Sequence, residues 1–136
     1  SVGTFESTRY ARGRKNYSTM EINGENGSLF FDLEDPHILQ YFRYADPGTG
    51  KKIEDHLTGW QRIHVTNFEH PYMKNWWVPG CTIGYEHTFI NSFADFLASL
   101  EEGGEPFQPD MKAALRTQKV CDAVLQSAKE ERWVTL

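Results

Sequence analysis

The stretch Tyr17-Ser18-Thr19-Met20-Glu21-Ile22-Asn23-Gly24-Glu25-Asn26-Gly27-Ser28-Leu29-Phe30-Phe31-Asp32-Leu33 decides the fold. Two β-prone runs, Tyr17 to Ile22 and Ser28 to Leu33, flank a cluster of Asn and Gly. Gly and Asn supply the positive φ that tight hairpins require, so the cluster reads as a turn. Side chains alternate along a strand, which puts Phe30 and Phe31 on opposite faces of the second run. The reading is a β-hairpin, and strand-like sequence continues on both sides of it.

Upstream, residues 2–11 alternate loosely. Val2, Thr4, Glu6, Thr8 and Tyr10 share one face, and Gly3, Phe5, Ser7, Arg9 and Ala11 share the other. Arg12 to Asn16 supply turn residues. Downstream, Ile38 to Tyr44 and Trp60 to Val65 read as further strands, separated by a polar loop over residues 45–58 that holds Pro47, Gly48 and Gly50. Residues 67–82 carry Pro71, Trp76, Trp77, Pro79 and Gly80, the composition of an ordered aromatic loop.

The second half changes period. Phe89, Ile90, Phe93, Phe96, Leu97 and Leu100 recur every three or four residues, which places them on one helix face, and Gly103-Gly104 ends that helix. Asp110 is a plausible N-cap for a second helix, with Met111, Ala114, Leu115, Cys121, Val124, Leu125 and Ala128 as its stripe. Trp133-Val134-Thr135-Leu136 is β-prone and suited to a sheet edge. Strands followed by helices give an α+β class: an open, mainly antiparallel or mixed sheet with two helices packed on one face.

At 136 residues the chain has the size of one domain and can bury a core without staples. A net charge of −5 argues against tracking a phosphate backbone, and the one basic cluster, Arg9, Arg12, Arg14 and Lys15, reads as a hairpin tip. Two cysteines, Cys81 and Cys121, are too few for a disulfide framework, so a reduced cytoplasmic compartment is expected. No apolar run approaches the ~20 residues of a membrane span. The chain opens on strand-like Ser1-Val2-Gly3-Thr4-Phe5 without an initiator Met, which leads us to expect a piece of a longer polypeptide.

Most chemical motifs fail on inspection. Gly48-Thr49-Gly50-Lys51-Lys52 suggests a phosphate loop, but Ala45 stands where a Walker loop needs Gly, and Lys52 where it needs Ser or Thr. No Gly-x-Gly-x-x-Gly fingerprint occurs, so a dinucleotide would bind mainly elsewhere. His37, His56, His64, His70 and His87 form no His-Glu-x-x-His, and Cys81 with His87 is one pair, short of a zinc set. There is no Gly-x-Ser-x-Gly elbow for a serine nucleophile.

The stretch from Trp76 to Phe89 is more informative. It sets two indoles, a Pro79-Gly80 turn and the pair Tyr85 and His87 at the mouth of a helix, with Glu86 placed to complement the helix dipole. Trp and Tyr offer flat apolar faces with a polar handle, as a ring-shaped polyhydroxy ligand needs. The plain alternative is that Trp76 and Trp77 plug the core while Tyr85 and His87 cap it. Gln118, which interrupts the second helix's stripe, reads as bonding a neighbouring backbone group, and Arg9 as lying on the sheet surface.

In order, the chain presents Gly3-Thr4-Phe5-Glu6-Ser7-Thr8-Arg9, then Glu21-Ile22-Asn23-Gly24 with Gly27-Ser28-Leu29, then Gly84-Tyr85-Glu86-His87-Thr88-Phe89, then Ser127-Ala128 and Arg132-Trp133-Val134. Together these resemble the C-terminal domain of the Gfo/Idh/MocA family, the glucose–fructose oxidoreductase and inositol dehydrogenase group. The resemblance covers nearly the whole chain. It implies a dihydrodipicolinate-reductase-like C-terminal fold, with residues 1–136 forming a single substrate and oligomerisation domain and the N-terminal Rossmann domain lying outside the chain. It implies reversible hydride transfer between a sugar or cyclitol secondary alcohol and NAD or NADP, held by that partner domain in a homo-oligomer. The family's catalytic Lys, Asp and His motifs are missing here, so no catalytic, cofactor-binding or metal residue is assigned. Tyr85, His87, Trp76 and Trp77 become substrate-binding candidates, with Arg9 as a further one. Relatives often carry His where Cys81 stands, which would change specificity if that position meets substrate. The competing reading is a stand-alone ligand-binding or dimerisation module without redox chemistry.

Overall fold

The hairpin forms where the sequence places it. A computed structural model describes residues 2–46 and 48–136, apart from the side chain of Asp55; Ser1 and Pro47, counted above in a strand and a loop, lie outside the described residues. Strands β1 (Thr19–Asn23), β2 (Gly27–Asp32), β3 (Ile38–Arg43) and β4 (Trp60–His64) pair in sequence order as a four-stranded antiparallel sheet. Two α-helices follow, α1 (Tyr85–Ser99) and α2 (Met111–Glu130). The chain divides into two compact units, one up to Phe89 and one from Ile90 to Leu136.

Register separates the two faces of the sheet. Met20, Phe31, Leu39 and Ile63 lie in one cross-strand row, and Glu21, Phe30, Gln40 and Arg62 in another of opposite facing. At one end of the β3–β4 pair, Phe42 and Trp60 rings lie 5.9 Å apart. The buried centre of this unit is small: Ile38, Ala45, Met73 and Thr66.

The β1–β2 turn closes by Gly24 N–H donating to Gly27 C=O at 2.9 Å, with Glu25 and Asn26 at its tip. Neither Gly24 nor Gly27 adopts a positive φ, contrary to expectation. Gly27 is required for another reason: a Cβ there would lie 2.4 Å from the Phe42 carbonyl oxygen on β3.

Two expected strands do not form. Residues 2–11 are exposed and outside any ladder, with Val2 and Phe5 almost fully solvated. Their alternation sets Thr, Glu and Thr against Gly, Ser and Arg, so neither face offers the continuous apolar row that burial rewards. Arg9 therefore sits at a bend, not within a strand. At the other terminus, α2 ends with Glu131 in the left-handed region (φ 51), and the Ser127 hydroxyl donates to the Arg132 carbonyl. Trp133 to Leu136 then run on without a ladder partner, Trp133 being 96% exposed.

Within the second unit the helix signals hold. The Asp110 carboxylate accepts from Ala113 N–H at 2.8 Å, an N-cap that satisfies one of the helix's unpaired amides. Gln118 donates to the Asp122 carboxylate one turn on, rather than to the backbone as expected. The rings of Phe96 and Phe107 meet edge to face at 5.6 Å.

Candidate functional site

The loop after β4 is built to hold its aromatic residues still. Thr66, 1% exposed, accepts Gly80 N–H on its hydroxyl at 3.3 Å and so ties the two ends of residues 66–80 together. Inside that span, His70 Nδ1 accepts from Asn67 N–H, and His70 C=O accepts from Met73 N–H. Met73, 2% exposed, anchors the middle of the loop as its buried side chain.

Pro79-Gly80 then makes a tight turn, with Cys81 N–H donating to Val78 C=O and Gly80 at φ +89. Pro presets the first central position and Gly accepts the positive φ at the second, so the dipeptide specifies this turn. Four residues later α1 begins, and His87 closes on its start. Gly84 N–H donates to His87 Nδ1 at 3.0 Å, while His87 N–H donates to Gly84 C=O at 3.1 Å. The first bond is one half of a capping box, with an N3 imidazole in the place of Glu or Gln; Gly84 has no side chain to supply the other half, and its backbone carbonyl takes the His87 amide instead.

These local structures enclose a cavity of about 250 Å³ lined by Trp76, Trp77, Cys81, Thr82, Ile83 and His87. Trp76 meets the His87 ring edge-on at 4.6 Å, and Trp77 is 79% exposed. The two indoles therefore wall an open hollow and do not plug the core. Since Nδ1 accepts a hydrogen bond, the imidazole proton sits on Nε2, which makes that nitrogen a donor. The site can stack an apolar ring face against indole and offer N–H and hydroxyl groups to its edge.

Of the candidates read from the sequence, Trp76, Trp77 and His87 are brought together. Tyr85 turns instead to Phe89, their rings edge to face at 5.1 Å. Arg9 lies along a larger hollow of about 770 Å³ that is bordered by residues 6–9, 11 and 14–19. Every residue bordering that hollow is exposed, and its Arg14 is committed to Glu34 and to the Tyr17 ring, so the smaller aromatic cavity is the better site. Thr82 and Ile83 were missed as lining residues; their place between Gly80 and Gly84 was the available signal.

Two carboxylates elsewhere in this unit are held ionised by backbone amides. Asp46 accepts from Thr49 N–H, Gly48 N–H and the Thr49 hydroxyl, which lowers its pKa, with Arg43 adding a smaller contribution. The Gly-rich loop thus spends those amides on its own carboxylate and does not fit a phosphate. Glu34 is lowered chiefly by Lys15 N–H, then by Asn16 N–H and Arg14, and fastens the preceding turn to the end of β2. No cluster of three or more metal-ligating side chains occurs among the described residues, and none of the described helices is long and apolar enough to cross a membrane.

Comparison with known proteins gives this geometry a family. Residues 1–136 match the model of the oxidoreductase family C-terminal alpha/beta domain, the Gfo/Idh/MocA type. The chain is 34% identical over 135 residues to levoglucosan dehydrogenase of Pseudarthrobacter phenanthrenivorans, covering 98% of this chain and 32% of that protein. Among solved structures, an oxidoreductase domain protein from Kribbella flavida matches with a TM-score of 0.80 and 39% identity, over 93% of this chain and 32% of that one. Levoglucosan dehydrogenase in complex with NADH and levoglucosan matches with a TM-score of 0.81 and 34% identity, again over 93% and 32%. The chain spans about a third of the length of the relatives it matches. A full-length family match, relatives above 30% identity and a shared four-stranded open sheet with two helices agree: this chain belongs to the Gfo/Idh/MocA oxidoreductase family, as its C-terminal alpha/beta domain.

Proposed function

We propose that this chain is the substrate-binding and oligomerisation domain of a cytoplasmic NAD(P)-dependent dehydrogenase acting on a sugar, cyclitol or related secondary alcohol. A Rossmann domain of the same polypeptide would bind the cofactor. The observation that carries this reading is the cavity walled by Trp76 and Trp77 with His87 at its edge, in a chain whose relative is solved with NADH and a sugar. Indole faces suit the C–H surface of a sugar ring, and the His87 Nε2–H suits a hydroxyl oxygen. Free thiols at Cys81 and Cys121 accord with a reducing compartment.

The nucleotide site is assigned outside this chain because the one Gly-rich loop turns its Gly48 and Thr49 amides onto Asp46. Alcohol oxidation removes a hydride from the carbinol carbon and a proton from its hydroxyl, and neither acceptor is assigned to a residue here. The domain's part is to hold the ring so that the reacting carbon faces the cofactor.

The test uses the polypeptide that carries this chain, assayed for reduction of NAD or NADP with levoglucosan, L-sorbose and myo-inositol. Trp77→Ala should raise KM for the accepted substrate by about tenfold while leaving kcat within about twofold, the signature of lost ground-state binding. An unchanged KM would remove the cavity from the substrate site.

A further inference from the structure

The cavity beside His87 is chemically lopsided. Trp76, Trp77 and Ile83 present apolar surface, and Cys81 adds a thiol, a weak donor and weak acceptor. The stronger side-chain hydrogen-bonding groups are the Thr82 hydroxyl, the His87 imidazole and the indole N–H groups, which only donate, and the backbone sets the polarity of the imidazole. Gly84 N–H holds Nδ1 as an acceptor at 3.0 Å, so Nε2 can only donate. Glu86 Oε1 lies 3.6 Å from Nδ1, beyond hydrogen-bond length, and does not compete for that nitrogen. A fully hydroxylated ring seated here would press a hydroxyl against the thiol and an indole face, where it gives up water and regains little.

We propose that the cavity selects a ring-shaped polyol that lacks a free hydroxyl on the edge facing Cys81, with an acceptor oxygen on another edge taken by His87 Nε2–H. Cys81 is then a specificity-determining residue: its thiol leaves unpartnered a hydroxyl that an oxygen-bearing side chain would satisfy. The inference rests on the reading of this cavity as part of the substrate pocket and extends it to which polyols are accepted.

Nitrogen-15-labelled polypeptide carrying this chain is titrated with D-glucose and with each of its monodeoxy analogues. Binding is read at the indole resonances of Trp76 and Trp77 and the imidazole of His87. At least one analogue should bind roughly tenfold tighter than D-glucose, and Cys81→Ser should bring that ratio to within about twofold. Cys81 is exposed, and an otherwise unchanged spectrum confirms that the variant folds. His87 should show the Nε2–H tautomer in its nitrogen shifts. D-glucose binding as tightly as every analogue, or a ratio unmoved by Cys81→Ser, would overturn this inference and leave the domain assignment standing. Absence of any shift at Trp76, Trp77 and His87 with every sugar would overturn the substrate-pocket reading and this inference with it.

Discussion

Gly27 stands where the β2–β3 ladder leaves no space for a side chain, its missing Cβ being 2.4 Å from the Phe42 carbonyl oxygen. Gly24, three residues earlier, would place a Cβ 3.4 Å from the Gly27 carbonyl, close to ordinary contact. Gly27→Ala should therefore destabilise the sheet by about 2 kcal/mol and Gly24→Ala by well under half of that, measured by urea denaturation. Equal effects would mean that the turn, and not the strand approach, sets the requirement. Charge adds a second residue-scale device. Asp46 and Glu34 titrate below the usual carboxylate range because backbone amides bind their ionised forms. A depressed folded pKa gives stability that is present above the unfolded value and lost as pH falls through the folded one. The amide resonances of Thr49 and Lys15 should accordingly shift with midpoints below those of free Asp and Glu; midpoints at or above those values would contradict the bonding described. The lining of the aromatic cavity was partly legible at this scale. Trp76, Trp77 and His87 announced themselves as aromatic and polar groups beside a Pro-Gly turn. Tyr85 lies outside that lining, since residues two apart on a helix point about 200° apart and do not face the same way as His87.

Among the elements, those with a local signal were readable and those that depend on a distant partner were not. The β1–β2 hairpin carries its turn and both strands within one short stretch, and the pairing Met20↔Phe31 follows from that turn. Residues 2–11 and 133–136 have β-prone composition without a partner nearby in sequence, and composition alone does not make a ladder. Helix α2 was legible from its stripe and from Asp110, whose carboxylate does cap the Ala113 amide. Asp110→Ala should cost about 1 kcal/mol and fray the first turn, seen as faster amide exchange at Ala113 than at residues in the middle of the helix. Asp110→Asn should retain most of the protection, since Asn caps nearly as well. Loss of protection along all of α2 with Asp110→Ala would mean that the cap nucleates the helix instead of finishing it.

On the function proposed above, the whole molecule is a domain that holds a substrate ring, with the nucleotide site assigned outside this chain. The family, the open antiparallel sheet and the two helices are common to this chain and to dehydrogenase relatives about three times its length. The division of labour proposed here, substrate held by this domain and nicotinamide by a Rossmann partner, makes one direct demand. NADH binding, followed by the change in its fluorescence, should be measured on this chain alone and on the polypeptide that carries it. Saturable binding is expected to the longer polypeptide and none to the isolated chain, because the Gly48 and Thr49 amides are occupied by Asp46. Stoichiometric NADH binding by the isolated chain would contradict it, and would place a nucleotide site on residues assigned here to the substrate.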